Sequence, residues 1–416
     1  MFPNPRNGCN TIGPQVMSGY LDKDYLYGVH ILLDSDAVAF RWHEPTDTYE
    51  TILLSDVVSN QLELPLFLPS DDHYALAVGV DNQDTMYIVG NHHEGLDGPP
   101  TKMHFIKCDD VTDFENPASW SAQSTSHYDG LDSIAGASPL TYTYDLMERL
   151  SDGTLLHFLS QSDTNPNTRG RDWLAFKCIS GTWTPLIGDG HFATTEAVAD
   201  GTGANRAYIN GLHVEKDGGG AGVDRVHVYG IWRTEDEDPL SQKAPYYLYS
   251  DNLTTWKYKG NPDGTQTMPI TWDNRSNAEI SSAPSFSRNV RMGVYVDGSG
   301  YPAIIVREEA TSTYVRLYWN GTAWATEDYE TLNGEVREFR LKGQRYVRYV
   351  TSLRVAIKNK DTNKTFRIGN TVQTSGATYS PNHDPVWLRE RGVYAVNIGS
   401  GDTPRVFTFG NGSKRL

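Results

Sequence analysis

Apolar residues along this chain come in short runs and not in helical stripes. Val, Ile, Tyr and Phe cluster between closely spaced glycines and prolines, which is the pattern of many short strands. One longer unit recurs: an apolar run, an Asp/Gly-rich turn, then a second apolar run. It reads "ALAVGVDNQDTMYIVGNH" from Ala75, "DLMERLSDGTLLHFLSQS" from Asp145, "GLHVEKDGGGAGVDRVHVYGIWR" from Gly211, "MGVYVDGSGYPAIIVREE" from Met292 and "PVWLRERGVYAVNIGS" from Pro385. A second form is a tight turn closed by tryptophan: "NPASW" at Trp120, "ISGTW" at Trp183, "DNLTTW" at Trp256 and "NGTAW" at Trp324. Two separate features sharing a period of roughly 70 residues mark a repeated unit of about four strands, the size of a propeller blade. The length of 416 residues then holds roughly six such units, or roughly seven if each is compact.

The expectation is therefore an all-β chain, one β-propeller over residues 1–416 with four-stranded antiparallel blades, seven preferred over six. Residues 1–25 would be an N-terminal extension contributing to ring closure. A row of β-sandwiches is the plainer alternative, but no linker-like break in composition separates candidate domains. The basic, alternating stretch 335–365 reads as a further blade with a charged outer face.

Composition narrows the partners. Lys and Arg number 36 against 52 Asp and Glu, a net charge of -16. That field disfavours nucleic acid and anionic membrane surfaces. It leaves room for an anionic polysaccharide, because a few cations in a cleft outweigh distant charge under salt screening. Cys9, Cys108 and Cys178 have no metal-like spacing and read as free thiols. The start "MFPNPRNGCN" has no signal-like basic and apolar regions, and no apolar run is long enough for membrane insertion. "DGGGAGVD" lacks the strand-to-helix setting of a phosphate cradle. "DKD", "DSD" and "DTNPNTRGRD" lack EF-hand spacing. No cofactor is implied, and a structural metal ion stays compatible with the composition.

Several longer stretches resemble, in order, the BNR-repeat propeller family that includes ulvan lyases. "GNHHEG" at 90–95 is similar to that family's "GNMH", and "YDLMERLSDGTLLHF" at 144–158 to its "TYPxFxRxxDGxLxF". "NRAYINGLHVEKD" with "RVHVYGIWRTEDED" is similar to its "NAYPxG" and "HxxWxWRDTPD" segments. "YLYSDNLTTWKYKGNPDGTQTMPI" and "HDPVWLRERGVYAV" also follow the family's order. The Trp turns are relatives of the Asp-box of neuraminidase-type repeats, with "YSDNLTTW" the nearest copy. The chain departs from the pattern at Asp145, where "TYP" has proline, at Ala244-Pro245, and at the "GGGAG" insertion, 218–222.

The resemblance implies a lyase that cleaves a uronate-containing anionic glycan by β-elimination. That reaction needs a cation on the uronate carboxylate, a base for the C5 proton and an acid for the departing oxygen. Carried over position by position, the catalytic set is His93, Tyr208 and Arg233, with Asn91, His92 and Tyr144 at substrate-binding positions. Strand alternation places His92 opposite His93, where a structural role is the plainer reading. Each residue also has a structural reading: His93 as a strand-end cap, Tyr208 as one of 24 tyrosines in packing, Arg233 in an ion pair with Glu235 or Asp236. A neuraminidase-like site would need three arginines and a Tyr/Glu pair, and no motif selects among Arg149, Arg171, Arg233 and Arg307. The runner-up function is a non-catalytic glycan-binding virion protein, such as a tail fibre or tailspike component. The expected location is extracellular or virion-associated, with other virion proteins or self-association as further contacts.

Overall fold

In the computed structural model of the chain, the described residues are 15–31, 37–58, 75–91, 104–123, 141–162, 171–197, 204–233, 242–280, 294–296, 300–307, 314–328, 336–341, 344–350, 355–368, 393–397 and 405–408. Among them, helix is confined to Leu54–Val58 and isolated 3-10 turns.

The strands form meanders in which consecutive strands pair. The first sheet holds β1 (Gln15–Ser18), β2 (Tyr25–Ile31), β3 (Ala37–His43) and β4 (Thr48–Leu53). The second holds β5 (Ala75–Val80), β6 (Met86–Asn91), β7 (His104–Cys108) and β8 (Trp120–Gln123). In the third, β9 (Thr141–Arg149), β10 (Leu155–Ser162), β11 (Arg171–Ile179) and β12 (Thr182–Pro185) are joined by β13 (His191–Ala193), which pairs with β11. The fourth runs through β14 (Glu196–Ala197), β15 (Ala204–Gly220), β16 (Val223–Arg233), β17 (Gln242–Ser250), β18 (Trp256–Tyr258) and β19 (Gly264–Gln266). The fifth holds β20 (Val294–Val296), β21 (Pro302–Arg307), β22 (Tyr314–Trp319) and β23 (Trp324–Asp328). The basic stretch 335–365 supplies most of the sixth: β24 (Val336–Leu341), β25 (Gln344–Val350), β26 (Val355–Asn359) and β27 (Thr365–Ile368). Finally, β28 (Val393–Asn397) pairs with β29 (Arg405–Thr408).

Antiparallel four-stranded meanders with almost no helix are propeller blades, so the all-β propeller class expected from the repeats is present. Contacts divide the chain into two compact units. One comprises Met1–Leu159, Phe176–Pro185 and Gln373–Leu416; the other comprises Ser160–Ala175 and Leu186–Val372.

The repeated tryptophans share one position: each lies in the strand just after its turn, the last strand along its meander or, for Trp256 on β18, the last but one. The turns themselves are held by side chains. Asn252 Oδ1 accepts from the Thr254 and Thr255 amides at 3.0 and 2.8 Å, and Asn320 Oδ1 from Thr322 and Ala323 at 3.0 and 2.9 Å. In "ISGTW" the two central residues instead adopt positive φ, Ser180 at 48° and Gly181 at 83°, as a two-residue hairpin turn requires. Three of the four rings meet an aromatic of the preceding sheet edge to face, while Trp120 meets Phe114 of its own loop at 5.2 Å. Trp183 meets Tyr87 at 5.5 Å and 90° and Phe105 at 5.8 Å and 89°. Trp256 meets Phe192 at 4.8 Å, and Trp324 meets Tyr247 at 5.5 Å. Edge-to-face geometry puts a positive ring rim on a negative ring face. Cys108 and Cys178 are the cross-strand partners of Trp120 and Trp183. Burial pushes both thiols up to about 12, so they are inert packing groups.

A second device recurs within sheets. Gly28 lies opposite Phe40, Gly230 opposite Tyr246 and Gly264 opposite Tyr258. In each pair the aromatic ring lies over the glycine, in the space a Cβ would take. Gly230→Ala is therefore expected to overpack the fully buried Tyr246 and to lower unfolding free energy by about 1–3 kcal/mol. Chemical denaturation read by tryptophan fluorescence checks this, and an unchanged midpoint would refute the close-packing account.

An ionic clasp adds a pH dependence. His191 Nδ1 lies 3.1 Å from Asp189 and Nε2 lies 3.5 Å from Asp172 on β11. The bond to Asp172 raises the His191 pKa above 6.5; burial opposes it, and Asp189 adds to the rise. A raised folded-state pKa stabilises fully below the unfolded value and is lost as pH rises through the folded value. His191→Asn should thus lower the melting temperature at pH 5 relative to wild type, and the gap should narrow toward pH 9. A gap independent of pH would refute it.

Candidate functional site

The expected site residues among the described positions fall on three sheets. Asn91 closes β6 opposite Ala75, and Tyr144 lies on β9 directly before Asp145. His92 and His93 lie outside the described residues, as do Glu235 and Asp236. Tyr208 and Arg233 are both on the β15–β16 hairpin of the fourth sheet, and the geometry there is detailed.

The register pairs Arg206 with Arg233, Ala207 with Trp232, Tyr208 with Ile231 and Ile209 with Gly230. Asn210 is then an extra residue, a bulge, and pairing resumes at Gly211 opposite Tyr229. Directly paired residues point to one face. That face carries Arg206 and Tyr208 before the bulge and His213 and Glu215 after it, against Arg225, His227, Tyr229, Ile231 and Arg233. Tyr208 and Arg233 are thus diagonal neighbours on one face. The β17 side is irregular at the same level. Ala244 takes a positive φ of 47°, and pairing jumps from Gly230–Tyr246 to Trp232–Lys243. The Ala244-Pro245 departure is therefore a second bulge, one of the few places a sheet accepts proline.

The middle of this face is buried. Tyr229, Ile231, Tyr247 and Tyr249 pack with Ile304, Val306, Val315 and Leu317 of the fifth sheet, and Tyr208 is half-buried against the margin of that cluster. Arg233, also half-buried, ends β16 opposite Gln242. A phenol half-buried against that cluster and a guanidinium at the end of the neighbouring strand are groups that can exchange a proton and hold a negative charge.

A polar chain that sequence reasoning missed lies further along the same face. His227, fully buried, has Nε2 3.2 Å from Glu215 and Nδ1 2.6 Å from the Tyr247 hydroxyl. A carboxylate only accepts, so Nε2–H donates to Glu215 and Nδ1 accepts from Tyr247. Burial holds the Tyr247 pKa well above 10, keeping it a neutral donor. The legible signal was period-two alternation in "RVHVY", which puts His227 beside Tyr229 on the apolar face.

The departure at Asp145 also acquires a physical role. His157 on β10 donates Nε2–H to Asp145 Oδ1 at 2.8 Å, with both side chains fully buried. The His157 ring stands 6.0 Å from Trp183. The residue at the "TYP" proline position thus anchors a histidine beneath the tryptophan turn. No group of three or more His, Cys, Asp or Glu among the described residues is arranged to hold a metal ion.

The model of a family described as "BNR repeat-containing family member" matches residues 36–331. Among solved structures, the chain is similar to an ulvan lyase of a polysaccharide lyase family bound to -[GlcA(1-4)Rha3S]-, at 12% identity and a TM-score of 0.58, covering 86% of this chain and 82% of that one. It is also similar to the polysaccharide lyase Uly1, at 14% identity and a TM-score of 0.56, covering 93% and 84%. No curated protein sequence matches the chain.

Asp145→Ala leaves the buried His157 donor without its acceptor. The expected loss is about 2 kcal/mol or more of unfolding free energy. A thermal or urea melt reads it, and a loss near zero would show that the pair is not a structural anchor.

Proposed function

Starting from the fact that the chain belongs to the BNR repeat-containing family, we propose that it is a polysaccharide lyase acting on a uronate-containing anionic glycan. The observation that carries this reading is the placement of Tyr208 and Arg233 as diagonal neighbours on one face of the β15–β16 hairpin. Fold similarity to two polysaccharide lyases supports the same class.

In this reading Arg233 binds the uronate carboxylate and stabilises the charge that develops when C5 loses its proton. Stabilising such charge with a preorganised donor is usually the largest single contribution to this type of reaction. Tyr208, alone or with His93, takes the C5 proton. The electron pair then forms the C4–C5 double bond as the C4–O4 bond breaks. The leaving oxygen receives a proton from the same tyrosine or its partner. By the family resemblance, Asn91, His92 and Tyr144 stand at substrate-binding positions. The products are a new chain end with a free hydroxyl and an unsaturated uronate, and no co-reactant is consumed.

The test is incubation with ulvan and other uronate glycans, followed by ultraviolet absorbance of the unsaturated uronate. Tyr208→Phe and His93→Ala are each expected to lower turnover about 10²–10⁴-fold while the melting temperature stays close to wild type. His92→Ala should act mainly on stability. Binding of the glycan without the absorbing product would make the protein a glycan-binding propeller and overturn the lyase reading. Full activity in His93→Ala would remove that residue from the mechanism.

A further inference from the structure

The residue two places before Tyr208 adds something the catalytic set does not contain. Arg206 is the Cα partner of Arg233 across β15 and β16. Directly opposed residues have Cβ atoms about 5 Å apart, so two guanidinium-bearing side chains leave one face of the sheet side by side. Arg206 is only 6% exposed, whereas Arg233 is half-buried. Like charges directly opposed repel, and burial sharpens that repulsion because little water screens it. Each arginine also has a partner within the chain; what groups the two is their direct opposition across the strand pair. Tyr208 continues the same face toward Ile231. Two cations and a phenol are thereby grouped within two residue steps.

We infer that Arg206 and Arg233 grip one oxyanion between them, with Arg206 as the inner and Arg233 as the outer half of the clamp. The inference deepens the lyase reading and takes its ligand class from it: a sugar carboxylate or, with the same chemistry, a sulfate ester. A planar fork on each side suits an oxyanion with two or more acceptor oxygens. The inner cation, held by its strand and little exposed, keeps its field in a low-dielectric setting where it acts most strongly on developing charge.

A double-mutant cycle on ligand binding tests this apart from turnover. Binding of glucuronate and, separately, of inorganic sulfate is measured by calorimetry for wild type, Arg206→Gln, Arg233→Gln and the double variant. Either single change should weaken binding of the preferred ion about tenfold or more. The double variant should be weaker than either single by much less than the product of the two effects, because both groups act on one anion. Arg206→Lys, keeping the charge without the fork, should retain part of the affinity. A preference for glucuronate assigns the clamp to the carboxylate, and a preference for sulfate assigns it to a sulfate ester. Melting temperatures verify that each variant is folded, and an Arg206→Gln variant that melts early is replaced in the cycle by Arg206→Lys. Wild-type affinity in folded Arg206 variants would mean that Arg206 serves carboxylates of its own chain, and would overturn the clamp. So would strictly multiplicative losses, or no binding of either ion by wild type. If the cycle is coupled yet no uronate glycan yields unsaturated product, the clamp stands and the lyase reading fails.

Discussion

The tryptophan that follows each tight turn is the contact on which the described sheets most depend. A blade has two faces, and among the described residues almost no helix is available to cover either, so sheets close on one another. Trp183, Trp256 and Trp324 do this by standing edge-on to Tyr87 and Phe105, to Phe192 and to Tyr247. Each such pair contributes about 0.5–1.5 kcal/mol beyond the area it buries. Geometry matters more than this sum. An edge-to-face contact is satisfied over a narrow range of approach, so the turn fixes where one sheet lies on the next. The Asn-anchored turns at Asn252 and Asn320 fix the backbone from which the ring is presented.

The same contact reaches toward the candidate site. Tyr247 receives the edge of Trp324 on its ring and gives its hydroxyl proton to His227, which in turn donates to Glu215. The packing of the fifth sheet on the fourth therefore orients a hydrogen-bonded chain on the face that also carries Tyr208, Arg206 and Arg233. Within this unit the polar and apolar parts of one face are built together. A buried histidine with both nitrogens committed keeps a single tautomer and ring orientation.

The repeats were legible because they are local. Apolar runs around Asp/Gly turns became the hairpins β5–β6, β9–β10, β15–β16 and β20–β21, and each of the four tryptophans lies in the strand just after its turn. The basic stretch 335–365, read as a further blade, forms most of the sixth sheet. Relations between strands were not legible, for a physical reason. Asp145 meets His157 across a hairpin, and Arg206 meets Arg233 across a longer one. Both pairings depend on register, which turn geometry and bulges set. The Ala244-Pro245 departure was visible as letters, but its meaning as a bulge needed the positions of β16 and β17. For the histidines of "GNHHEG" the sequence reading still stands alone, since both lie outside the described residues.

The extra residue at Asn210 gives β15 two phases. Side chains alternate across a strand, so one inserted position reverses which parity faces which side. Arg206 and Tyr208 are even-numbered, yet they share a face with the odd-numbered Gly211, His213 and Glu215. The packed half of the strand and its polar end can thus be tuned separately: substitutions on one side of the bulge leave the facing pattern on the other intact. Loss of this single residue would merge the phases. If the half beyond the bulge kept its pairing with β16, Arg206 and Tyr208 would swing to the opposite side, leaving Arg233 facing alone. In lineages of this fold, gain or loss of one strand residue could therefore turn such a surface on or off without altering any side chain that composes it.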